Sequence, residues 1–238
     1  MLTLAIDTCE RRGSIALRKE GRLLFLRKHD TATDYSLWLL PTVDEVLGEA
    51  DCTMEEIELL AVVTGPGSFT GLRVGLTSVK AWAEVYGMPV VGVSRLEAMA
   101  RQVKADAGFV AASYDAQRGQ IFAGLYRHGG GTLEAVNSEL VIEAVAFLKF
   151  VEAHCQREKI TWISLDPELI TASEAWKTRE KLGETVHPCE PWLANAIGEM
   201  AEERAKKGQF TDALLLDANY VRRSDAEIFW KGPASRVR

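Results

Sequence analysis

One stretch of the chain decides its fold: Thr64-Gly65-Pro66-Gly67-Ser68-Phe69-Thr70-Gly71-Leu72-Arg73-Val74-Gly75. An apolar run at residues 57–63 precedes it and is typical of a buried strand. A helical pattern follows it and ends near Gly87. Strand, glycine-rich turn and helix in this order predict an α/β fold, and this layout can bring backbone N–H groups close to an anion.

The glycines of this stretch have two different roles. Gly65 and Gly67 permit turn conformations and a close approach that a Cβ atom would forbid. Ser68 is a good N-cap for the helix that follows. Gly71 and Gly75 are four residues apart and share one helix face, although each glycine costs about 1 kcal/mol of helix stability. We therefore expect another backbone to pack against that face.

The stretch matches neither of two common phosphate-binding motifs. It lacks the Gly-Lys-Ser/Thr that ends a P-loop, and three residues rather than two separate Gly67 from Gly71, which excludes Gly-x-Gly-x-x-Gly. Two interpretations stay open on the pattern alone. The stretch is either a tight connection that needs only small residues, or a backbone that contacts a ligand.

Composition and charge exclude several classes of protein. The 238 residues are 47% hydrophobic and 26% charged, as in ordinary globular proteins, and the formal net charge is −6. An acidic chain is no general electrostatic binder of nucleic acid, although residues 222–238 are basic. No apolar stretch reaches the ~18 residues that span a membrane. Because there is also no signal-peptide pattern and no Cys-x-x-Cys pair, we expect a cytoplasmic protein.

The first half of the chain alternates strands and helices. A three-stranded meander is expected over residues 2–26. A helix should follow from Asp34 to Leu47, with a kink at Pro41 and an end at Gly48. Ser94 begins a capping box that opens a further helix. This order of elements predicts a mixed sheet with helices on its faces.

The second half of the chain repeats the plan of the first. Each half has a strand that ends in an aspartate, Asp7 and Asp115, followed by a turn that contains glycine. The repeat predicts two lobes of like fold, residues 1–105 and residues 106–238. Further helices are expected near residues 139–154, 173–182 and 193–207.

Several motifs together resemble one known family. They are Ala5-Ile6-Asp7-Thr8, Leu39-Leu40-Pro41, the glycine-rich stretch, Pro89-Val90-Val91-Gly92-Val93-Ser94, Asp115-Ala116-Gln117-Arg118-Gly119 and Tyr220-Val221-Arg222. In this order they are similar to the TsaB (YeaZ) family. The resemblance implies an actin-like/sugar-kinase-like (ASKHA) fold with two α/β lobes and mixed sheets, the second lobe being degenerate. Cys9-Glu10-Arg11-Arg12 departs from the pattern, because small polar residues are expected there.

The same resemblance implies a function. It is a role in making threonylcarbamoyladenosine next to the tRNA anticodon, as a non-catalytic scaffold subunit with no catalytic residue of its own. The implied partners are a TsaD-like catalytic subunit, a TsaE-like ATPase and, through the complex, tRNA. Two alternatives are an independent ATP-binding kinase or ATPase of the same fold, and a peptidase.

In this fold class, ATP lies between two acid-bearing hairpins, one from each lobe. Asp7 and Thr8 are therefore candidates for nucleotide binding, whereas Asp115 is followed by Ala116, which has no hydroxyl. The alternative for both acids is a buried aspartate that caps a turn. No cofactor is predicted for the chain alone, and ATP or ADP at the interface of the complex stays open. The four histidines lack His-x-x-x-His spacing, so no metal site is predicted.

Two helices carry more apolar surface than one core-facing side requires. Exposed apolar faces mark interfaces, and aromatic residues often anchor them. The predicted partner interface consists of Tyr35, Trp38, Leu39, Gly71, Gly75, Ser78, Trp82 and Val85. It should pair with the equivalent helices of a TsaD-like subunit, or with a second copy of this chain as a homodimer when no partner is present. The alternative is that the rest of the chain covers both faces.

Overall fold

The computed structural model of the protein describes residues 1–103, 108–129, 132–156 and 158–221. The basic end of the chain, with Arg222 and Arg223, lies outside the described residues. Strands and helices are numbered in chain order. No described helix is both long and apolar enough to cross a membrane.

A five-stranded mixed sheet forms the first lobe. Its strands are β1 (Leu2–Asp7), β2 (Ser14–Lys19), β3 (Arg22–Lys28), β4 (Leu59–Gly65) and β5 (Val90–Ser94). They lie in the order β3-β2-β1-β4-β5. Strands β1, β4 and β5 are parallel, and β2 is antiparallel to both of its neighbours. The predicted meander is therefore confirmed, and β1, buried along its whole length, lies in the middle of the sheet.

The first lobe contains three α-helices among the described residues: α1 (Tyr35–Glu49), α2 (Phe69–Tyr86) and α3 (Arg95–Ala100). The predicted caps of α2 are confirmed, because Ser68 accepts a hydrogen bond from the N–H of Gly71 and Gly87 ends the helix in the left-handed conformation. Helix α1 runs without interruption through Pro41 and continues beyond Gly48, so the predicted end at Gly48 is wrong. Gly48 keeps helical geometry there, where it costs about 1 kcal/mol relative to alanine.

A second mixed sheet forms the other lobe. Its strands are β6 (Gly108–Asp115), β7 (Ile121–Gly129), β8 (Thr132–Ala135), β9 (Leu140–Ile142), β10 (Ile160–Ser164) and β11 (Val186–Pro188). Their order is β11-β10-β6-β7-β8, and β9 also pairs with β7. Successive residues of β6 point into two different apolar clusters, one of which is continuous with the core of the first lobe. The two predicted mixed sheets are therefore present, and apolar packing joins them.

The helices of the second half are α4 (Ala144–Cys155), α5 (Glu168–Thr171), α6 (Trp176–Lys181) and α7 (Ala194–Lys206). The helix predicted at residues 139–154 begins only at Ala144, because the three residues of β9 pair with β7 instead. The helix predicted at residues 173–182 is also shorter. Ser173 lies between α5 and α6, where its hydroxyl donates to the Ile170 carbonyl and accepts from the Trp176 N–H.

Helix α7 packs on the first lobe although it follows the second sheet in the sequence. It crosses β1, β2, β4 and β5 and buries Ile197, Met200 and Ala201 against them. An ion pair inside the packed layer joins the helix to β2, since Nε of the buried Arg18 donates to the Glu202 carboxylate at 3.0 Å.

The segment after α7 also lies on the first lobe. The N–H of Asn219 donates to the carbonyl oxygen of Thr64, at the end of β4, at 2.7 Å. The division into residues 1–105 and 106–238 therefore describes the two sheets but not α7 and the segment that follows it. As a division into domains it stays a prediction.

Candidate functional site

The glycine face of α2 packs against the loop that follows β1. A Cβ atom on Gly71 would lie 2.1 Å from the carbonyl oxygen of Thr8, and one on Gly75 would lie 2.4 Å from the Thr8 hydroxyl. That hydroxyl donates to the carbonyl oxygen of Gly71 at 2.8 Å. A backbone does pack on this face, but it belongs to the same chain. The predicted place of both glycines in a partner interface therefore needs correction, because they are buried within the first lobe.

The turn before α2 is held by the same loop. The N–H of Ser68 donates to the carbonyl oxygen of Cys9 at 2.8 Å. The Cys9 thiol donates to the carbonyl oxygen of Pro66 at 2.6 Å, and the Tyr114 hydroxyl donates to that same oxygen. A Cβ atom on Gly67 would lie 2.2 Å from the Cys9 sulfur. Protein atoms thus fill the space beside the glycines, which favours the tight connection over contact with a ligand.

Asp7 and Thr8 both have partners inside the protein. Their side chains are fully buried. One carboxylate oxygen of Asp7 accepts from the Arg95 guanidinium, and the other accepts from the N–H of Cys9 at 3.0 Å. This geometry argues against the predicted nucleotide-binding role of Asp7 and Thr8, because neither side chain is accessible to a phosphate. It favours the alternative of a buried aspartate that caps a turn.

Burial and pairing have opposite effects on the ionisation of Asp7 and Arg95. Burial raises the pKa of Asp7, against the opposing effects of the Arg95 charge and the hydrogen bond from Cys9. Burial is the largest effect on Arg95 and disfavours its charge, but Asp7 together with Cys9, Tyr114 and Glu10 outweighs burial and raises the pKa of Arg95. The removal of either partner would leave an uncompensated charge in the core. The pair is therefore a structural link between the end of β1 and the start of α3.

A cleft of about 470 Å³ lies between the two lobes. Its charged lining comprises four acidic and three basic side chains: Glu10, Asp30, Asp115 and Asp166, with Arg11, Arg12 and Arg95. Uncharged residues complete the lining, among them Tyr114, Gln117 and Leu165. Because both signs of charge are mixed, the cleft has no strong positive field that would attract an anion such as a nucleotide.

Two features describe the chemistry of this cleft. Burial raises the pKa of Glu10 to about 7; Arg95 opposes this effect, and the negative charges of Asp7, Asp166 and Asp115 add to it. On the opposite wall, the N–H of Asp115 donates to the Asp166 carboxylate at 2.8 Å. Among the described residues, no group of three or more His, Cys, Asp or Glu side chains is arranged to hold a metal ion.

Three other residues of the predicted interface lie on α1. Leu39 is fully buried in the core, so its predicted contact with a partner also needs correction. Tyr35 and Trp38 are half-buried in an aromatic cluster with His29, whose ring centroid lies 4.4 Å from that of Tyr35 and 4.9 Å from that of Trp38. Their positions leave only part of each ring accessible.

The apolar surface that remains accessible lies on both helices. Ser78 and Trp82 of α2 are half-buried, whereas Val85 is 72% exposed. On α1, Leu37 is 69% and Leu40 is 55% exposed. The two helices pack against each other, so these side chains belong to neighbouring elements of one lobe. Apolar groups exposed together are typical of interaction sites.

The sequence alone does not identify Arg95 or Glu10 as important. Arginine and glutamate are usually exposed, so neither residue type indicates burial. The available signals are indirect. The predicted N-cap at Ser94 is confirmed, because its hydroxyl accepts from the N–H of Glu97, whereas the Glu97 carboxylate accepts from Arg204. This cap fixes the start of α3, but it does not reveal that the first residue of the helix pairs with Asp7. The bulk and charge of Glu10 depart from the family pattern, which is the one signal that points to it.

Two α/β lobes with mixed sheets and a cleft between them define the actin-like/sugar-kinase-like class, as predicted. A ROK family protein from Streptococcus pneumoniae TIGR4, solved in complex with sucrose, has a similar fold, with a TM-score of 0.51 and 11% identity over 88% of this chain and 100% of that chain. YeaZ from Pseudomonas aeruginosa has a TM-score of 0.70 and 24% identity over 92% of this chain and 99% of that chain. Both likenesses show the fold.

Sequence comparison gives the family. The family model described as TsaD, tRNA N6-adenosine threonylcarbamoyltransferase, matches residues 29–172, which is more than half of the chain. The tRNA threonylcarbamoyladenosine biosynthesis protein TsaB of Bacillus subtilis (strain 168) is 34% identical over 141 residues, which cover 57% of this chain and 59% of that protein. The chain belongs to this family, and within it to the TsaB (YeaZ) proteins. It spans about three fifths of the length of the curated relative that it matches.

Proposed function

We propose that this chain is a non-catalytic scaffold subunit of the complex that makes threonylcarbamoyladenosine in tRNA. It pairs with a TsaD-like catalytic subunit, and a TsaE-like ATPase completes the assembly. Family membership supports a role in this biosynthesis, since a curated relative is named for it. The observation that carries the scaffold role is the exposed apolar surface on α1 and α2.

This α1–α2 surface is defined by Leu37, Leu40, Trp82, Val85 and Tyr86. All of them except the half-buried Trp82 are at least 40% exposed. Each Å² of apolar area that a partner covers contributes roughly 25 cal/mol, so several large side chains on two packed helices support stable association. Two equivalent helices of a TsaD-like subunit would complete a four-helix contact. Without that partner, a second copy of the chain covers the same surface about a two-fold axis.

The contacts of Asp7 and Thr8 within the protein support a non-catalytic role. A nucleotide-binding hairpin must present its acid and hydroxyl groups to the ligand, whereas Asp7 here binds Arg95 and Thr8 binds Gly71. We therefore assign any ATP or ADP to the interface of the complex rather than to this hairpin. The chain contacts tRNA through the complex, because its net charge of −6 gives it little attraction for RNA by itself.

The proposal is tested by reconstitution. Light scattering after size-exclusion chromatography should show a homodimer of the chain alone, and a heterocomplex at its expense when the cognate TsaD-like subunit is added. With the TsaE-like ATPase and a threonylcarbamoyl donor present, tRNA modification should require the chain. Modification at full rate without it, or no association with the TsaD-like subunit, would contradict the proposal.

The rival function is an independent ATPase or kinase, which the position of the cleft between the lobes favours. ATP turnover by the purified chain distinguishes the two, with Asp115→Asn as the control because Asp115 lines the cleft. The scaffold role predicts no turnover above that control. An Asp7→Ala control is unsuitable, since it would leave Arg95 unpaired in the core.

A further inference from the structure

The segment that follows α7 runs along one edge of the first sheet and ends on α2. Thr211 pairs with Val90 at the start of β5, whereas the N–H of Asn219 donates to the carbonyl oxygen of Thr64 at the end of β4. Because β4 and β5 are parallel, these two contacts lie at opposite ends of the sheet. The segment therefore brings its next residue, Tyr220, to the place where α2 begins.

Three side chains form an exposed aromatic–arginine cluster at the start of α2: Phe69, Arg73 and Tyr220. The centroids of the two aromatic rings are 5.2 Å apart, and Phe69 is 38% and Tyr220 40% exposed. The guanidinium carbon of Arg73 lies 3.7 Å from the centroid of the Phe69 ring, and Nε of Arg73 donates to the Tyr220 hydroxyl at 3.3 Å. Within the described part of the chain, no carboxylate pairs with Arg73. Its positive charge is therefore available to an anion.

This combination of side chains is suited to a single-stranded nucleic acid. Aromatic rings stack on unpaired bases, and arginine adds a cation–π contact or binds a phosphate. Aromatic residues and arginine also anchor contacts between proteins, so the side chains of the cluster do not by themselves decide between the two kinds of partner.

The distribution of charge along the chain favours a polyanion. The net charge of the whole chain is −6, yet residues 222–238 contain five basic and two acidic residues. This basic stretch follows almost directly after Tyr220 in the sequence, and it also contains Phe229 and Trp230. Basic and aromatic residues interleaved in this way are typical of segments that bind nucleic acid.

We propose that the aromatic–arginine cluster contacts an unpaired stretch of the tRNA bound by the complex. One base stacks on the exposed faces of Phe69 and Tyr220, and Arg73 binds a neighbouring phosphate. The identity of the RNA rests on the proposed function. The contact goes beyond it, because a scaffold subunit can hold the assembly together without touching the tRNA.

Titration of a fluorescently labelled tRNA transcript with the heterocomplex of this chain and the cognate TsaD-like subunit tests the contact, with anisotropy as the readout. Tyr220→Leu keeps an apolar side chain beside Phe69 but removes the aromatic face. It should weaken tRNA binding about 5- to 100-fold, as expected for the loss of one stacked base. Tyr220→Phe keeps the ring and should bind within about threefold of the wild type. Arg73→Gln should reduce the salt dependence of log Kd by about one phosphate contact, a slope of roughly 0.7–0.9.

Phe210→Leu is the matched control, because Phe210 is an aromatic residue of the same segment, 52% exposed, next to the contact at the other end of the sheet. It should leave the tRNA affinity unchanged to within about twofold. Equal tRNA affinity of the Tyr220→Leu and wild-type complexes would overturn the proposal.

Assembly is measured separately, by titration of each variant with the TsaD-like subunit in the absence of tRNA. Cluster variants should assemble as the wild type does. If Tyr220→Leu impaired assembly and the assembled complex kept its tRNA affinity, the cluster would be a contact between proteins and the proposal would be overturned. Failure of the wild-type chain itself to join the TsaD-like subunit would instead contradict the proposed function.

Discussion

At the scale of single residues, Asp7 determines what the first hairpin can do. Its carboxylate accepts hydrogen bonds from Arg95 and from the backbone of Cys9, and water has no access to it. If an aspartate that compensates a buried arginine turned to bind a ligand, that arginine would be left unpaired in an apolar environment. An aspartate at the end of this strand can therefore either bind a ligand or compensate a buried charge. Only the group that its carboxylate contacts distinguishes the two roles.

Replacement of Arg95 by methionine should strongly destabilise the protein. The change leaves the Asp7 carboxylate buried without an opposite charge, and breaking a buried pair from one side costs roughly 3–5 kcal/mol of unfolding free energy. Asp7→Asn combined with Arg95→Met should recover part of that loss, because no charge is left unpaired. Urea unfolding of the wild type, the two single variants and the double variant measures both effects. The exposed pair Arg101–Glu203 is the comparison, and Arg101→Ala should cost less than about 1 kcal/mol.

Glu10 should make the stability of the protein depend on pH. Its pKa is raised from 4.5 to about 7 on folding, so its contribution is fully present below pH 4.5 and is lost as the pH rises through 7. The loss amounts to about 3 kcal/mol, since a tenfold change in proton affinity corresponds to roughly 1.4 kcal/mol. The unfolding free energy of Glu10→Gln should therefore fall less than that of the wild type between pH 4.5 and pH 7.5. Urea titrations at both pH values give the comparison, and parallel behaviour of the two proteins would contradict the raised pKa.

At the scale of elements, the sequence predicts best those features that local chemistry controls. The caps at Ser68 and Gly87 delimit α2, since one side chain and one left-handed residue suffice for each. The short strand Leu140–Ile142 could not be predicted, because it forms only by pairing with β7. The glycine face of α2 is an intermediate case. Its pattern predicts a close backbone, but only the tertiary structure shows that the backbone is that of Thr8.

Two glycine-to-alanine changes test this view of the helices. Gly71→Ala places a methyl group against the carbonyl oxygen of Thr8, so the backbone must shift, and overpacking of this kind costs roughly 1–3 kcal/mol. Gly48→Ala adds a methyl group to α1 with nothing within 4 Å, and should stabilise by roughly 0.5–1 kcal/mol. Urea unfolding of both variants gives the sign of each change in the unfolding free energy. Equal effects would mean that α2 does not pack on the loop as described.

At the scale of the whole molecule, the candidate site was predictable only in part. The family pattern predicts two lobes and a cleft, which are present, and it indicates Asp7 as a ligand contact, which the ion pair with Arg95 argues against. Asp7 and Arg95 are eighty-eight positions apart in sequence. No local pattern reports such a pairing, because it arises only when α3 returns to the end of β1. The α1–α2 surface could not be predicted from a local pattern either, because its exposed side chains are those that the rest of the chain leaves uncovered.

Val85 lies on the α1–α2 surface that we propose joins this chain to a TsaD-like subunit. Val85 is a better probe than Trp38 or Trp82, whose rings pack partly against the core of their own chain. Leu182, 74% exposed on the second lobe, offers a control with the same degree of exposure. A glutamate at either position should leave the isolated chain folded.

The measurement is the dissociation constant of each variant with the cognate TsaD-like subunit, by isothermal titration calorimetry. Val85→Glu buries an unpaired charge in the contact, which costs several kcal/mol, so binding should weaken by at least about 100-fold. Leu182→Glu should bind within about twofold of the wild type, as expected for a side chain outside the contact. Wild-type affinity of a folded Val85→Glu protein would contradict the account and locate the interface elsewhere.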